Sequence, residues 1–266
     1  MSDLILQQRD GAILTLTLNE PERRNPISDV ATVDALIAAV EAADMDIEVR
    51  CVILTGAGSA FSSGGDLKKM VPGAGLRDAR PVQTRRNYKT GIQRIPLAFQ
   101  ALEVPVICAV NGPAIGAGLD LTTMCDIRVA SENAKFAESF VKLGIIPGDG
   151  GAWLLPRIVG FPMACELALT GRTIDAAEAL RIGLVTHVVP ADRLLAKARE
   201  IAEEIAANPP HATRMAKRLL REGQTATLPN LLDMSAAMQA LAHATADNDE
   251  AIKAFLERRT PQFTGQ

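Results

Sequence analysis

Three acidic residues are placed to move protons or water: Asp120 in "NGPAIGAGLD", Glu138 in "KFAESFVKL" and Asp149 in "GIIPGDGGAW". Two glycine-rich stretches supply the complementary chemistry. In "AFSSGGDLK" Gly64 and Gly65 end a turn where no side chain blocks approach to the backbone. In "NGPAIGAGLD" a strand runs through glycines into a helix, which places the Ala117 N–H at a helix N-terminus, where the dipole favours negative charge. Two such donors, one from the Gly64–Gly65 turn and one from Ala117, converging on one point would form an oxyanion hole able to hold an enolate. Asp120 follows Ala117 by three residues, near one helical turn, and so projects beside that hole. Its alternative role is that of a helix-start acid facing the dipole. Glu138 precedes Phe140 by two, which in an extended segment turns both to the same side; otherwise it is a surface or subunit-contact acid. Asp149 either joins the other acids, caps the helix predicted in "GGAWLLPRI", or does both.

Other chemistries lack their residues. "LTGAGSAFSSGGDLKKM" begins like a dinucleotide fingerprint, but Phe61 stands where a third glycine must let helix and strand touch. There is no G-x-x-x-x-G-K-[ST] stretch, and neither Ser62 nor Ser63 lies in G-x-S-x-G. Histidines at 187, 211 and 243 have no ligand-like spacing, so no catalytic metal is expected. Cys51, Cys108, Cys125 and Cys165 form no C-x-x-C pair, which fits a reducing cytoplasm.

The elements that must position these residues alternate strand and helix. "AILTLTLN" has a period of two, and "PISDVATVDALIAAVEAADMD" opens on Pro26 and Ser28 as start signals and continues with helical spacing. "CVILTG", "VPVICAVNG" and "IRVAS" read as short buried strands. Residues 70 to 87, rich in glycine, proline and arginine, read as a loop or short irregular helix of the kind that covers sites. From residue 192 onward only helical patterns remain. The expectation is an α/β body over 1–191 and a helical region over 192–266 used for assembly. With 266 residues, 48% of them hydrophobic, and a net charge of −3, the chain has enough apolar surface for one large core and no reason to seek nucleic acid or an anionic membrane. The amino-terminal segment alternates like a strand rather than reading as a signal peptide, and no apolar run suits a bilayer.

Four segments together resemble the enoyl-CoA hydratase/isomerase, or crotonase, superfamily: "AFSSGGDLK" at 60–68, "PVICAVNGPAIGAGLDLTTMCDIRVAS" at 105–131, "KLGIIPGDGGAWLLPRIVG" at 142–160 and "LTGRTIDAAEALRIGLVTHVV" at 169–189. The resemblance covers nearly the whole chain. It implies a spiral of β-β-α repeats, a helical carboxy-terminal assembly region, and trimers or hexamers. It also implies acyl-CoA thioesters as substrates, CoA being part of the substrate and no separate cofactor being required. Gly65 and Ala117 match the positions whose N–H groups bind the thioester oxygen. Ala60, Ser62, Asp66 and Leu67 match the segment lining the adenine and pantetheine site, and Arg23, Arg24 and Lys68 match the basic positions near CoA phosphates. Phe255, Arg258 and Arg259 fall in the segment that approaches a neighbouring subunit's CoA.

The reaction type departs from the family's hydratases, which carry two glutamates. Asp120 matches the first; Phe140 stands at the second. Glu138 and Asp149 are the remaining acids, with Phe140 and Trp153 expected to form an apolar wall that raises a nearby carboxyl pKa. The reading is a hydratase-like enzyme, with a double-bond or ring-epoxide isomerase as the first alternative. A thioester hydrolase and a noncatalytic acyl-CoA binding protein are the others.

Overall fold

The computed structural model describes residues 3–73 and 75–266. Its main sheet has six strands in the order β1-β2-β3-β4-β6-β9. These are β1 Ile5–Asp10, β2 Ile13–Leu18, β3 Cys51–Gly56, β4 Val106–Val110, β6 Ile127–Ser131 and β9 His187–Val189. Only β1 and β2 pair antiparallel. β1 is an edge strand and turns its polar residues outward, whereas β3 and β4 are buried along their whole length, as unbroken apolar runs require in a parallel sheet.

A second, smaller sheet carries the site. It consists of β5 Ala114–Ile115, β7 Lys135–Ala137 and β8 Thr173–Asp175. Isolated bridges from Ser62 to Ala114 and from Gly64 to Pro26 extend the same column of paired backbone. Each turn of the chain therefore lays a strand in the main sheet and then a short extended piece in the second: β3 leads to 62–64, β4 to β5, β6 to β7. This is the β-β-α spiral, and it stacks Gly65, Ala117 and Glu138 although they are far apart in sequence.

Helices fill the connections. α1 Val30–Met45 presses Val33, Leu36, Ile37 and Val40 into the core. It starts later than Pro26 and Ser28 suggest, because Pro26 bridges Gly64 and the Ser28 hydroxyl accepts from the Asp66 N–H at 3.0 Å. α2 Pro81–Thr90 is a regular helix inside the stretch read as irregular. It is started by Pro81 and by an Asp78–Thr84 exchange in which the Asp78 N–H donates to Thr84 Oγ1 at 2.9 Å. α3 Arg94–Ala101, α4 Ala117–Met124, α5 Gly151–Val159, α6 Phe161–Thr170 and α7 Ala176–Arg181 follow.

The helical region after 192 divides into parts with different roles. α8 Leu194–Ala206 covers the outer face of the main sheet, packing Leu194, Ala198 and Ala202 on Ile53, Ile107 and Val129. α9 Pro210–Glu222 docks through cations that bind backbone carbonyls at or just beyond the ends of other helices. Arg214 donates to Asp44 O and Asp46 O at the end of α1, Lys217 to Val104 O just after α3, and Arg221 to Phe99 O in α3 and Met124 O in α4. A cation at the negative end of a helix dipole is favourable, and here each also satisfies carbonyls that helix ends leave free. α10 Leu228–His243 buries no residue in the single chain, and α11 Ala246–Glu257 leaves Ile252, Phe255 and Leu256 exposed. Among the described residues no helix is long and apolar enough to cross a membrane.

Candidate active site

Glycine builds the first half of the site. Gly64 has φ +79°, and a Cβ on it would lie 2.9 Å from the Ala117 amide nitrogen, so the segment ending in Gly65 meets the start of α4 with no room for a side chain. Gly116 at φ +53° turns β5 into α4 and leaves Ala117 as its first residue. Among the described residues neither the Gly65 nor the Ala117 N–H has a backbone partner. Both residues line a cleft of about 660 Å³, together with Leu67, Lys68, Met70 and Phe140. Two free N–H donors at the inner wall of an apolar cleft, one on a helix N-terminus, suit a developing oxyanion.

The second half lies behind them. Asp120, Glu138 and Asp149 are 0%, 1% and 3% exposed, and they share one chamber. A Cβ on Gly151 would overlap the Asp120 carboxyl and lie 2.6 Å from Glu138 Oε1, so the missing side chain is what gives these acids their space. Both oxygens of Asp120, both of Glu138 and Asp149 Oδ1 are buried without a hydrogen-bond partner among the described residues. Buried carboxylates without donors are unfavourable, and protons held within the cluster relieve this.

Burial raises all three carboxyls, and at neutral pH this leaves protons on Asp120 and Glu138 and an ionised Asp149. Burial raises Asp120 well above the ordinary carboxyl range, the charges of Glu138 and Asp149 add to it, and the Gly151 N–H opposes them. Burial, reinforced by Asp149, pushes Glu138 up to about 8, with Asp120 as donor pulling the other way. Burial lifts Asp149 to about 6, again opposed by the hydrogen bond from Asp120. A proton on one acid changes the affinity of the others, so the three carboxyls titrate as one unit.

Asp149 does not cap a helix. The cap position of α5 belongs to Gly150 at φ +115°, with no side-chain cap bond, and this left-handed glycine turns the Asp149 carboxyl inward. Glu138 and Phe140 do not share an extended strand either. β7 ends at Ala137, residues 139–143 form a 3-10 turn, and Glu138 enters the acid chamber while the Phe140 ring lies 3.6 Å from where a Cβ on Gly116 would stand.

Trp153 does not join Phe140. It is two residues into α5, on the opposite side of the helix from Gly151, where it stacks on Arg157 at 3.9 Å and lines a separate cleft with Cys125 and Lys217. Ala60 and Ser62 do not line the cleft at Gly65. Both are buried, and the Ser62 hydroxyl donates to Asn25 O at 2.7 Å and accepts from the Gly64 N–H at 3.0 Å. Ser62 holds the turn instead.

Arg23, Arg24, Asp66, Leu67 and Lys68 do line the cleft mouth. Arg23 is committed to acids, reaching Asp66 at 2.6 Å, Glu20 at 2.8 Å and Asp29 at 3.1 Å. Arg24 and Lys68 have no acidic partner among the described residues. Asp66 accepts from the Lys68 N–H at 3.0 Å, which orders the turn rather than presenting a free carboxylate.

Sequence reasoning missed three supporting residues. Asn25, buried with φ +54°, donates to Ala57 O and Ala60 O at 2.8 and 2.9 Å and accepts from the Glu20 N–H, fixing the approach to Gly64. An asparagine between Arg24 and Pro26 was the available signal. Tyr88 and Gln93 hold the loop of Asp149 from outside, and only the uniqueness of the tyrosine marked it.

Two unpartnered backbone N–H groups beside protonatable carboxyls, on a β-β-α spiral, suit the stabilisation of an enolate and the movement of protons around it. The enoyl-CoA hydratase/isomerase family model matches residues 8–266, and the chain belongs to that family. It is 38% identical over 267 residues, covering all of both chains, to the 1,2-epoxyphenylacetyl-CoA isomerase of Escherichia coli. It is 36% identical to the short-chain-enoyl-CoA hydratase of Clostridium acetobutylicum, covering 96% of this chain and 95% of that one. The crystal structure of an enoyl-CoA hydratase from Bacillus anthracis superposes with a TM-score of 0.92 at 36% identity, covering 99% of this chain and all of that one. The chain is an acyl-CoA-transforming enzyme of the hydratase/isomerase type.

Proposed function

We propose that the protein hydrates a 2-enoyl-CoA, using Glu138 in place of the glutamate that Phe140 displaces. The observation that carries this is the shared chamber: the Glu138 carboxyl reaches the same space as Asp120 although it lies two residues before the family's position. The thioester oxygen is held by the Gly65 and Ala117 N–H groups. Asp149, ionised at neutral pH with its value near about 6, takes a proton from water as the water oxygen bonds to C3. The C2–C3 electron pair moves into the enolate, whose charge rests on the oxyanion hole. Glu138, still protonated below about 8, delivers a proton to C2. Asp120 keeps the intervening proton and lets the pair reset. The CoA moiety is part of the substrate, its phosphates met by the free cations Arg24 and Lys68, and no separate cofactor takes part.

A second reading rests on Asp149. One carboxyl that both takes and returns a proton suits double-bond or ring-epoxide isomerisation, and the Escherichia coli relative is named for such a reaction. The deciding experiment incubates the protein with crotonyl-CoA, a 3-enoyl-CoA and 1,2-epoxyphenylacetyl-CoA and identifies products by mass. A gain of water on crotonyl-CoA supports hydration. An isobaric product from either other substrate without water gain supports isomerisation, release of free CoA supports a hydrolase, and no change of any substrate supports a binding protein.

Assembly into trimers or hexamers is part of the same proposal. α10 exposes Leu228, Leu232 and Leu241, and α11 exposes Phe255, an apolar area that a second copy would cover. Arg259 is engaged with Glu250 and Glu257, so Arg258 is the freer cation of that end. Sedimentation as a monomer would remove this part of the proposal.

A further inference from the structure

The loop that carries Asp149 is gripped from the side opposite the acids. Gln93 Nε2 donates to Gly148 O at 2.6 Å, and the edge of the Tyr88 ring lies on Gly148, its Cε1 3.4 Å from where a Cβ there would stand. Pro96 from α3 closes on Gly150, its Cβ 3.1 Å from the corresponding point. Tyr88 is the chain's only tyrosine, half-buried on the inner face of α2 and packed against the main core.

The titratable groups facing Asp149 are Asp120 from α4, Glu138 from the turn after β7 and Tyr88 from α2; α3 and α5 present Pro96 and Gly151. None of these is a cation. When Asp149 ionises, Glu138 still carries its own proton, and Asp149 Oδ1 has no hydrogen-bond partner among the described residues. A neutral hydroxyl that does not itself ionise is the group that would stabilise it. Burial, and then the charge of Asp149, hold the Tyr88 phenol above its ordinary range, so it remains a donor throughout the working pH.

We propose that Tyr88 is a positioning residue of the reaction, its hydroxyl accompanying Asp149 as the carboxyl ionises and thereby deciding which acid of the cluster releases its proton first. This rests on the reading of the three acids as the acid–base unit, and its test separates the two. Because there is one tyrosine, the ultraviolet absorbance of tyrosinate reports Tyr88 alone, with no need of any substrate. Titrated in the intact protein, the phenol of Asp149→Asn is expected to ionise roughly one pH unit lower than in the unsubstituted protein, since the repelling charge is gone. Coincident titration curves would overturn the proposal whatever the enzyme's reaction. In turnover, Tyr88→Phe is expected to move the acid limb of the kcat profile up by about half to one unit and to lower kcat roughly tenfold at neutral pH, with KM and the melting temperature little changed. An unchanged acid limb in Tyr88→Phe would also overturn it. If the protein turns over none of the acyl-CoA substrates, the functional reading fails while the phenol titration still decides the contact.

Discussion

Glu138→Gln is expected to make the protein more stable and nearly inactive at once. Glu138 is 1% exposed, and burial with the neighbouring Asp149 charge lifts it from 4.5 to about 8. Below about pH 4 the carboxyl is protonated in both folded and unfolded chains and contributes nothing to the pH dependence. Between the two values the folded chain binds the extra proton, so stability falls as pH rises, and the loss is complete once pH passes the folded value. At 1.36 kcal/mol per unit this raised value corresponds to about 4 to 5 kcal/mol, part of which is shared with Asp149. The glutamine keeps the shape and cannot ionise. Its stability relative to the unsubstituted protein should be level near about pH 4 and exceed it by about 2 to 4 kcal/mol near about pH 9. Urea midpoints measured across that range at one fixed protein concentration read this directly, the fixed concentration removing any effect of assembly. The same variant should lose roughly 10² to 10⁴ in hydration rate as its general acid disappears. Parallel stability curves for the two proteins would refute the claim that Glu138 is held buried and protonated, and with it the proton assignment of the mechanism.

Asp120→Asn should lower kcat much more than it weakens acyl-CoA binding, because a group that holds a proton between two others acts in the transition state; equal losses in kcat and affinity would contradict this. Asp149→Ala should leave the melting temperature unchanged or raise it above about pH 6, since Gly150 and not Asp149 caps α5; a loss of about 1 kcal/mol would indicate a cap after all. Asp149→Asn should abolish double-bond migration if the enzyme is an isomerase, with Glu138→Gln then affecting that reaction little. Gly151→Ala should silence the enzyme while leaving CoA binding intact, because the added methyl enters the space of Asp120 and Glu138; calorimetry with CoA beside a turnover assay checks both halves.

The backbone half of the site was legible in the sequence because it depends on glycine. Gly64, Gly65 and Gly116 mark places where chain must approach chain, and those marks survive without knowledge of distant contacts. The strands were legible for a similar reason, "CVILTG" and "VICAV" being apolar on both faces. What remained hidden depended on direction. Trp153 and Phe140 read alike as large apolar residues near the acids, yet one turn of α5 puts Trp153 in another cleft. Asp149 stayed open between a cap and the acid cluster because the preference for aspartate at a cap is strong, and only the left-handed conformation of Gly150 shows that the cap lies one residue on. The cations of α9 carried no signal of their partners, because the carbonyls of Phe99, Val104 and Met124 come from segments 90 or more residues away.

On the proposed mechanism, Glu138 shows how an acid can change position in sequence and stay in place in space. In an extended strand, two residues correspond to roughly 7 Å, enough to carry a carboxyl out of reach of a substrate bound for the original site. Glu138 has φ −87° and ψ 67°, and the 3-10 turn that starts at Ser139 folds the chain back directly after it. That turn brings Phe140 to the cleft wall and leaves Glu138 pointing toward Gly151, where the absence of a side chain provides room for a second carboxyl beside Asp120. The displacement would fail with any larger residue at 151, and it would fail equally if β7 continued two residues further. The acid chamber therefore depends jointly on a glycine at the start of α5 and on the early end of β7.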